Sequence, residues 1–418
     1  MERRSHHHDY TRPGIYHITL HVAEGRGCIL GTVVGDPMAP DGSPDAPHVE
    51  LTAVGQMVEQ ELLTDLPARY PMVTIDTYVI MPDHLHLLAV VTAPLVSTSG
   101  KSTHLGMVIK GFKYGCNRHY WQLLGLPTGH RATKSPGTVA GASVPADSVG
   151  GSYPSLFAEG YCDVMPVDAE QLETQRAYIR ENPRSRLLRM AHRDHLTTRR
   201  GTIPTALSVS ALMGYLRHEC IPSQATPEAL EALAGQLLIR PTESVGTLCP
   251  PVPPAGQEIV CDSYGDRALL ERSLLPVVCH RKDKPRIAEQ KQRCLEEAQR
   301  GAVLVSPRIA KGEQEIIDEA VHHGFPVVLV ADNGFAERYH PSASQLDRCA
   351  DGRLLLVTPW RYRYRPKGEA ITVAECKTMN CIAQALCRQS DSWWKEPSAP
   401  KASTGLRSME KKQNQPQP

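Results

Sequence analysis

Along residues 14–23, GIYHITLHVA, apolar and polar positions alternate. Tyr16, Ile18, Leu20 and Val22 fall on one side, and His17, Thr19 and His21 on the other. Successive side chains of an extended chain point to opposite faces, so this pattern predicts a half-buried strand. HVELTAVGQMVEQELLTDLPARY (48–70) spaces its apolar residues at roughly the helical period and predicts a helix. MVTIDTYVI (72–80) predicts a strand that passes through a Met-Pro step into MPDHLHLLAVV (81–91). Helical spacing returns in THLGMVIKGFKYGCNRHYWQLLG (103–125) and in DAEQLETQRAYIRENP (168–183). The second of these is expected to stop at Pro183, which has no N–H to give a helix interior. A short strand is expected near LFAEGYCDVMP (156–166). The order implies an antiparallel sheet with helices on one face and the other face open.

The pattern changes downstream. Residues 126–155 are rich in Gly, Ser, Pro and Ala and read as a flexible insertion. Residues 196–238 read as a helical connector, and 240–257 as a Pro-rich linker. Then LLPVVCH, GAVLVSP, PVVLVAD and RLLLVTP are continuous apolar runs, as in strands buried on both faces. Helical segments lie between them, which predicts βαβ alternation around a parallel sheet. The domains implied are 1–195, a connector over 196–262, an α/β domain over 263–392, and a disordered polar tail over 393–418. The fold class is α/β.

Composition narrows this little. Among 418 residues, 46 basic and 45 acidic side chains leave a net charge of +1, so nucleic-acid binding would have to rest on local patches. Twelve scattered cysteines without a CxxC pair read as reduced thiols. The opening MERRSHHHDYTRP lacks the apolar core of a signal peptide, and no apolar run approaches the ~18–20 residues a membrane span needs. A cytoplasmic protein with no membrane partner is the expectation. The run His6 to His8 reads as an incidental polar cluster.

Candidate chemistry starts at His84 and His86. Two residues apart on a strand, they share a face, while Leu85 and Leu87 turn to the core. Such a pair is either solvated or two thirds of a metal site. Tyr178 and Asn182, spaced i and i+4, share a helix face. A tyrosine can act as a covalent nucleophile, and an amide oxygen suits Mg²⁺ or Mn²⁺. Each also has an ordinary reading, as a packed tyrosine and a helix-end asparagine.

Taken together and in order, these segments resemble the HUH single-tyrosine transposases, in particular the branch associated with repetitive extragenic palindromes. The likeness runs through RPGIYHITLHV, YVIMPDHLHLL, LGMVIKGFKYGCNRHY, LFAEGYCD and AYIRENP, over roughly residues 10–195. It implies a ferredoxin-like α+β sandwich. It implies that His84, His86 and Asn182 hold Mg²⁺ or Mn²⁺. It implies that Tyr178 attacks single-stranded DNA, at hairpins or palindromes, through a 5′-phosphotyrosine. His17 or His21 would then be a base or a supporting partner, and Lys110, Lys113 and Arg118 would pair with phosphates. Relatives use the tyrosine within one subunit or across a homodimer. Two departures stand out: MPDH replaces the usual MPNH, with Asp83 expected to point away from the histidines, and NPRSRLL follows the tyrosine helix.

Residues 265–390 loosely resemble the Rossmann-like domain of a single-stranded-DNA-processing protein of natural transformation, and lysine-decarboxylase-like nucleotide-binding proteins. That likeness implies a three-layer domain with a parallel sheet. Lys311 and Gly312, just ahead of a helix, are a candidate anion site. Two other readings stay open for the chain: a catalytically silent DNA- or RNA-binding protein, and a replication-initiator or relaxase-type nickase.

Overall fold

In a computed structural model, the residues described are 8–97, 100–127, 153–166, 168–240, 257–337, 339–366 and 369–396. Most of the expected insertion, most of the Pro-rich linker, residues from 397 on, and His6 and His7 lie outside the described residues. The tail expected to be disordered from 393 is ordered at its start, where Trp393–Lys395 form a 3-10 turn with Trp393 and Trp394 buried. The chain divides into two compact units, Met1–Arg193 with Ser342–Asp347, and Asp194–Pro341 with Arg348–Pro418. Both are mixed α/β.

The first unit opens with β1 (Gly14–His21), β2 (Gly31–Val34), β3 (His48–Leu51), α1 (Ala53–Gln60), a π-helical turn (Glu61–Asp65) and α2 (Leu66–Arg69). It continues with β4 (Val73–Met81), β5 (His84–Val91), α3 (Leu105–Leu123), β6 (Cys162–Val164), α4 (Ala169–Arg180) and α5 (Asn182–Ala191). Its main sheet has the order β4-β5-β1-β6, with every neighbouring pair antiparallel. On one face, Ile18, Leu20, Leu85 and Leu87 pack against Val58 and Leu62 and against Val108, Ile109 and Phe112 of α3. This is the apolar half of the alternation. The polar half lies on the opposite face.

Three differences from the sequence expectation have physical causes. Residues 48–51 are not helix but a strand paired to β2. The helix begins only after Thr52, whose hydroxyl caps it by accepting from Gly55 N–H at 3.2 Å. Pro183 does not end the helical run. It sits in the first turn of α5, where no N–H is required. The polar face is not open either, because α4 packs against β4 and β5 there.

The second unit begins with β7 (Arg199–Ser208), α6 (Val209–Glu219), α7 (Pro227–Gln236), β8 (Glu258–Gly265) and β9 (Leu274–Pro276). There follow α8 (Ile287–Gln299), β10 (Val303–Ser306), α9 (Lys311–His322), β11 (Val327–Val330), β12 (Leu354–Thr358) and α11 (Val373–Cys387); α10 (Ala343–Ala350), between β11 and β12 in the chain, groups with the first unit as far as Asp347. Strands β9 to β12 are parallel, as the apolar runs predict. The sheet as a whole is mixed, because β8 joins β12 antiparallel and β7 joins β8 antiparallel. The connector read as helical therefore starts with a strand. Ile203 and Thr205 of β7 are buried, and the Thr205 hydroxyl donates to Ile259 O at 2.7 Å.

Candidate active site

The register of three strands assembles the polar face. Thr19 of β1 and Val79 of β4 stand opposite His86 of β5, and His21 and Met81 stand opposite His84. The two β5 rings lie with centroids 4.8 Å apart. His86 is buried. Its Nδ1 is 3.1 Å from His17 Nε2 and 3.0 Å from Thr19 Oγ1, so strand β1 fixes how that ring is turned. The His21 and His84 rings are 5.7 Å apart. Burial among these groups pushes the His17 imidazole down to about 4, which makes it neutral at physiological pH.

Helix α4 brings the tyrosine over this face. The Tyr178 ring centroid is 5.3 Å from His86 and 5.9 Å from His17. One side of Tyr178 remains open, at 36% exposure. The helix is held at β4 by a two-pronged ion pair. Arg176 Nε and Nη2 donate to the two carboxylate oxygens of Asp76 at 2.8 and 2.7 Å. Asp76 sits where the β4–β5 register slips between Ile75 and Thr77. Such a bulge re-aims a side chain out of the regular pleat. Asn182 is buried one turn beyond Tyr178, at the start of α5. Its Nδ2 faces Tyr178 O at 3.4 Å, which leaves the amide oxygen as the atom suited to a cation.

Asp83 overturns an expectation. Its carboxylate does not point away from the histidines: Oδ1 lies 2.8 Å from His84 Nδ1. Pleat alternation does not govern it, because Asp83 lies in the turn between β4 and β5. Arg186 of α5 holds the same carboxylate from the other side, at 3.0 and 3.1 Å. The hydrogen bond with His84, then Arg186, keeps the Asp83 carboxyl well below the usual carboxylate range, against the opposing effect of burial. A carboxylate behind one ring nitrogen fixes the tautomer and raises the basicity of the other nitrogen, as behind metal-bound histidines. Asp83 and Arg186 were the residues that sequence reasoning missed. Their signal was present as the two departures, MPDH and NPRSRLL.

The other candidates are placed elsewhere. Helix α3 lies across the sheet from Tyr178, on the apolar face. Lys113 donates to Ala158 O at 2.6 Å and to Gly160 O, so it ties down the segment before β6. Lys110 is exposed. Arg118 is exposed as well, with Nη2 3.2 Å from His119 Nε2. At the start of α9, the buried Glu313 carboxylate accepts from the N–H groups of Ile309 at 2.7 Å, Ala310 at 3.1 Å and Cys279 at 2.9 Å. An anion near Lys311 and Gly312 would have to compete with it.

By donor chemistry, His84, His86 and Asn182 suit a hard divalent ion: two imidazoles on one sheet face, one backed by a carboxylate, and an amide oxygen at the start of α5. Among the described residues, one group of at least three His, Cys, Asp or Glu side chains brings its donor atoms within 4.8 Å of one another, and it is a different one: Glu61, Asp65 and His119.

Comparisons with known proteins are sparse. No protein-family model matches the chain. An uncharacterized protein of Haemophilus influenzae is 27% identical over 123 residues, 26% of this chain. The chain spans about 61% of that relative's length. Among solved structures, a REP-associated tyrosine transposase bound to a REP hairpin aligns at 12% identity. That alignment covers 43% of this chain and 72% of the other, with a TM-score of 0.25. A likeness this distant carries no argument about what the chain does. Among the described residues, no helix is long and apolar enough to cross a membrane.

Proposed function

We propose that the first unit is an HUH-type domain of ferredoxin-like architecture that nicks and rejoins single-stranded DNA, with Tyr178 as nucleophile. One observation carries this reading. The tyrosine, the two histidines and the amide come from segments nearly a hundred residues apart, and Tyr178 stands over His86 with a ring separation of 5.3 Å. A solvated pair of histidines has no need of a tyrosine held there by a helix clamp. Tyr178 and His86 meet within one chain, and attack within the subunit is part of this proposal.

His84, His86 and Asn182 would hold Mg²⁺ or Mn²⁺, which when bound supplies Lewis-acid polarisation of a phosphodiester. The protein's own groups do the rest. The Tyr178 phenol oxygen attacks phosphorus, the P–O3′ bond breaks, and the 3′ oxygen leaves with the bonding pair and takes a proton from water to become a 3′-OH. The product is a 5′-phosphotyrosine. The phenolic proton passes to a base, and neutral His17 is placed beside the Tyr178 ring to take it, with His21 as the alternative. A DNA 3′-OH attacking the phosphotyrosine reverses the sequence and joins strands. The phosphotyrosine conserves the bond, so no external energy is required. Hairpin or palindromic DNA is the proposed substrate, since unpaired and unstacked bases are what a single-strand site can read. The second unit, with its βαβ run, is proposed as a Rossmann-like accessory domain.

The test uses the full chain with end-labelled single-stranded hairpin oligonucleotides and Mg²⁺ or Mn²⁺, resolved on a denaturing gel. A protein-linked DNA band that needs the metal and vanishes in Tyr178→Phe and in His84→Ala is expected. A band that survives Tyr178→Phe would place the nucleophile elsewhere.

A further inference from the structure

On the far side of the sheet from Tyr178, the helical layer carries a second constellation. Glu61 opens the π-helical turn, Asp65 closes it, and His119 projects from α3. Widened helical turns of this kind recur at functional sites. Glu61 is fully buried. Arg69 pairs with its Oε1, while its Oε2 is buried with no hydrogen-bond partner. A buried carboxylate oxygen left without a partner is unfavourable, and a bound cation would relieve it. The neighbouring helix leaves room for it. A Cβ at Gly115 would fall 2.0 Å from Glu61 Oε1 and 2.5 Å from Oε2, so the carboxylate lies directly on the α3 backbone. His119 is one turn further along the same helix face.

We infer that Glu61, Asp65 and His119 form a second divalent-metal site, distinct from the histidine pair of β5. The donor atoms lie within 4.8 Å of one another. Ligands of an ion bound at ~2.0–2.2 Å are at most about 4.4 Å apart, so a small side-chain adjustment closes the set. Two carboxylates and an imidazole are a donor set that Mn²⁺ accepts readily. Two guanidinium groups stand at the site, Arg69 paired with Glu61 and Arg118 with Nη2 3.2 Å from His119 Nε2, so a divalent ion would enter by displacing them. The ion would brace the π-helical turn against α3.

Mn²⁺ alone is the probe, read by loss of the free-ion electron paramagnetic resonance signal. The full chain carrying His84→Ala and His86→Ala removes the other candidate site, so this result does not depend on the proposed DNA chemistry. That protein is expected to take up Mn²⁺, and adding Asp65→Asn or His119→Ala is expected to abolish the uptake. No uptake, or uptake indifferent to Asp65 and His119, would overturn the site. Should those variants fold poorly, Arg69→Ala alone decides. Removal of the competing cation makes Mn²⁺ raise its Tm more than that of the parent protein, because a ligand bound only to the folded state stabilises it. An equal or smaller rise overturns the inference.

Discussion

At the scale of the residue, Asp83 changes the reading of the site most. A histidine pair on a strand is a weak signal by itself. A carboxylate 2.8 Å behind one ring, itself gripped by Arg186, fixes how that ring is turned and would orient it toward a bound ion. Replacing Asp83 with Asn keeps the shape but removes the charge. The Mn²⁺ concentration needed for half-maximal adduct formation should rise about 10–100-fold, the usual cost of losing such a partner. Metal titration of the adduct yield in Asp83→Asn checks it, and an unchanged midpoint would make the aspartate a turn residue only. The sequence pattern placed His84 and His86 on one face, because a two-residue period suffices for that. It could not place Asp83, because a tight turn has no period.

At the scale of the element, helix α4 has to be held in register over β5 for Tyr178 to meet His86. The Arg176–Asp76 pair does this from the bulge in β4. Asp76→Ala leaves the chemistry's own groups intact but frees the helix. The rate of adduct formation should fall by as much as about 100-fold, since a misplacement near 1 Å can cost that much. Stopped time courses, with Tm measured alongside to exclude unfolding, separate this from loss of stability. Here the sequence was partly legible. The helical period located α4, but Tyr178 and Asn182 do not share one helix: α4 ends at Arg180 and Asn182 opens α5. What it could not foresee was that Pro183 starts α5 instead of ending the helical run. A proline in the first helical turn and one just past the last look alike in sequence. The strands β3 and β7 were missed for a related reason: each is short or weakly alternating and is stabilised by its partner, not by its own pattern.

At the scale of the whole molecule, the parallel strands of the second unit were foreseeable from the continuous apolar runs. The antiparallel additions β7 and β8 were not, because they precede the βαβ pattern and share none of its spacing. In the second unit, His280 of the loop after β9 is paired with Asp391 beyond α11. The hydrogen bond that His280 Nε2 donates to the Asp391 carboxylate raises the His280 pKa. Burial pushes Asp391 up, but the bond to His280 and the charges of His280 and Lys395 outweigh it and its pKa is lowered. The raised histidine stabilises the fold below its unfolded value of about 6.5 and loses that contribution as pH rises through its folded value. The lowered aspartate stabilises above about 3.9 and loses its contribution as pH falls through its folded value. The pair therefore contributes most between about 4 and 6.5. The Tm difference between parent and Asp391→Asn should be largest in that window and shrink above it, and a difference independent of pH would contradict the assignment.

The central claim is that Tyr178 joins covalently to DNA, and peptide mapping of the adduct tests it most directly. Trypsin cuts after Arg176 and Arg180, which isolates Tyr178 in the peptide 177–180. After reaction with a single-stranded hairpin and Mn²⁺, nuclease trimming and mass spectrometry, that peptide should carry a 5′-nucleotide through its tyrosine. A nucleotide found on a peptide containing Tyr114, Tyr120 or Tyr161, with 177–180 unmodified, would contradict the account.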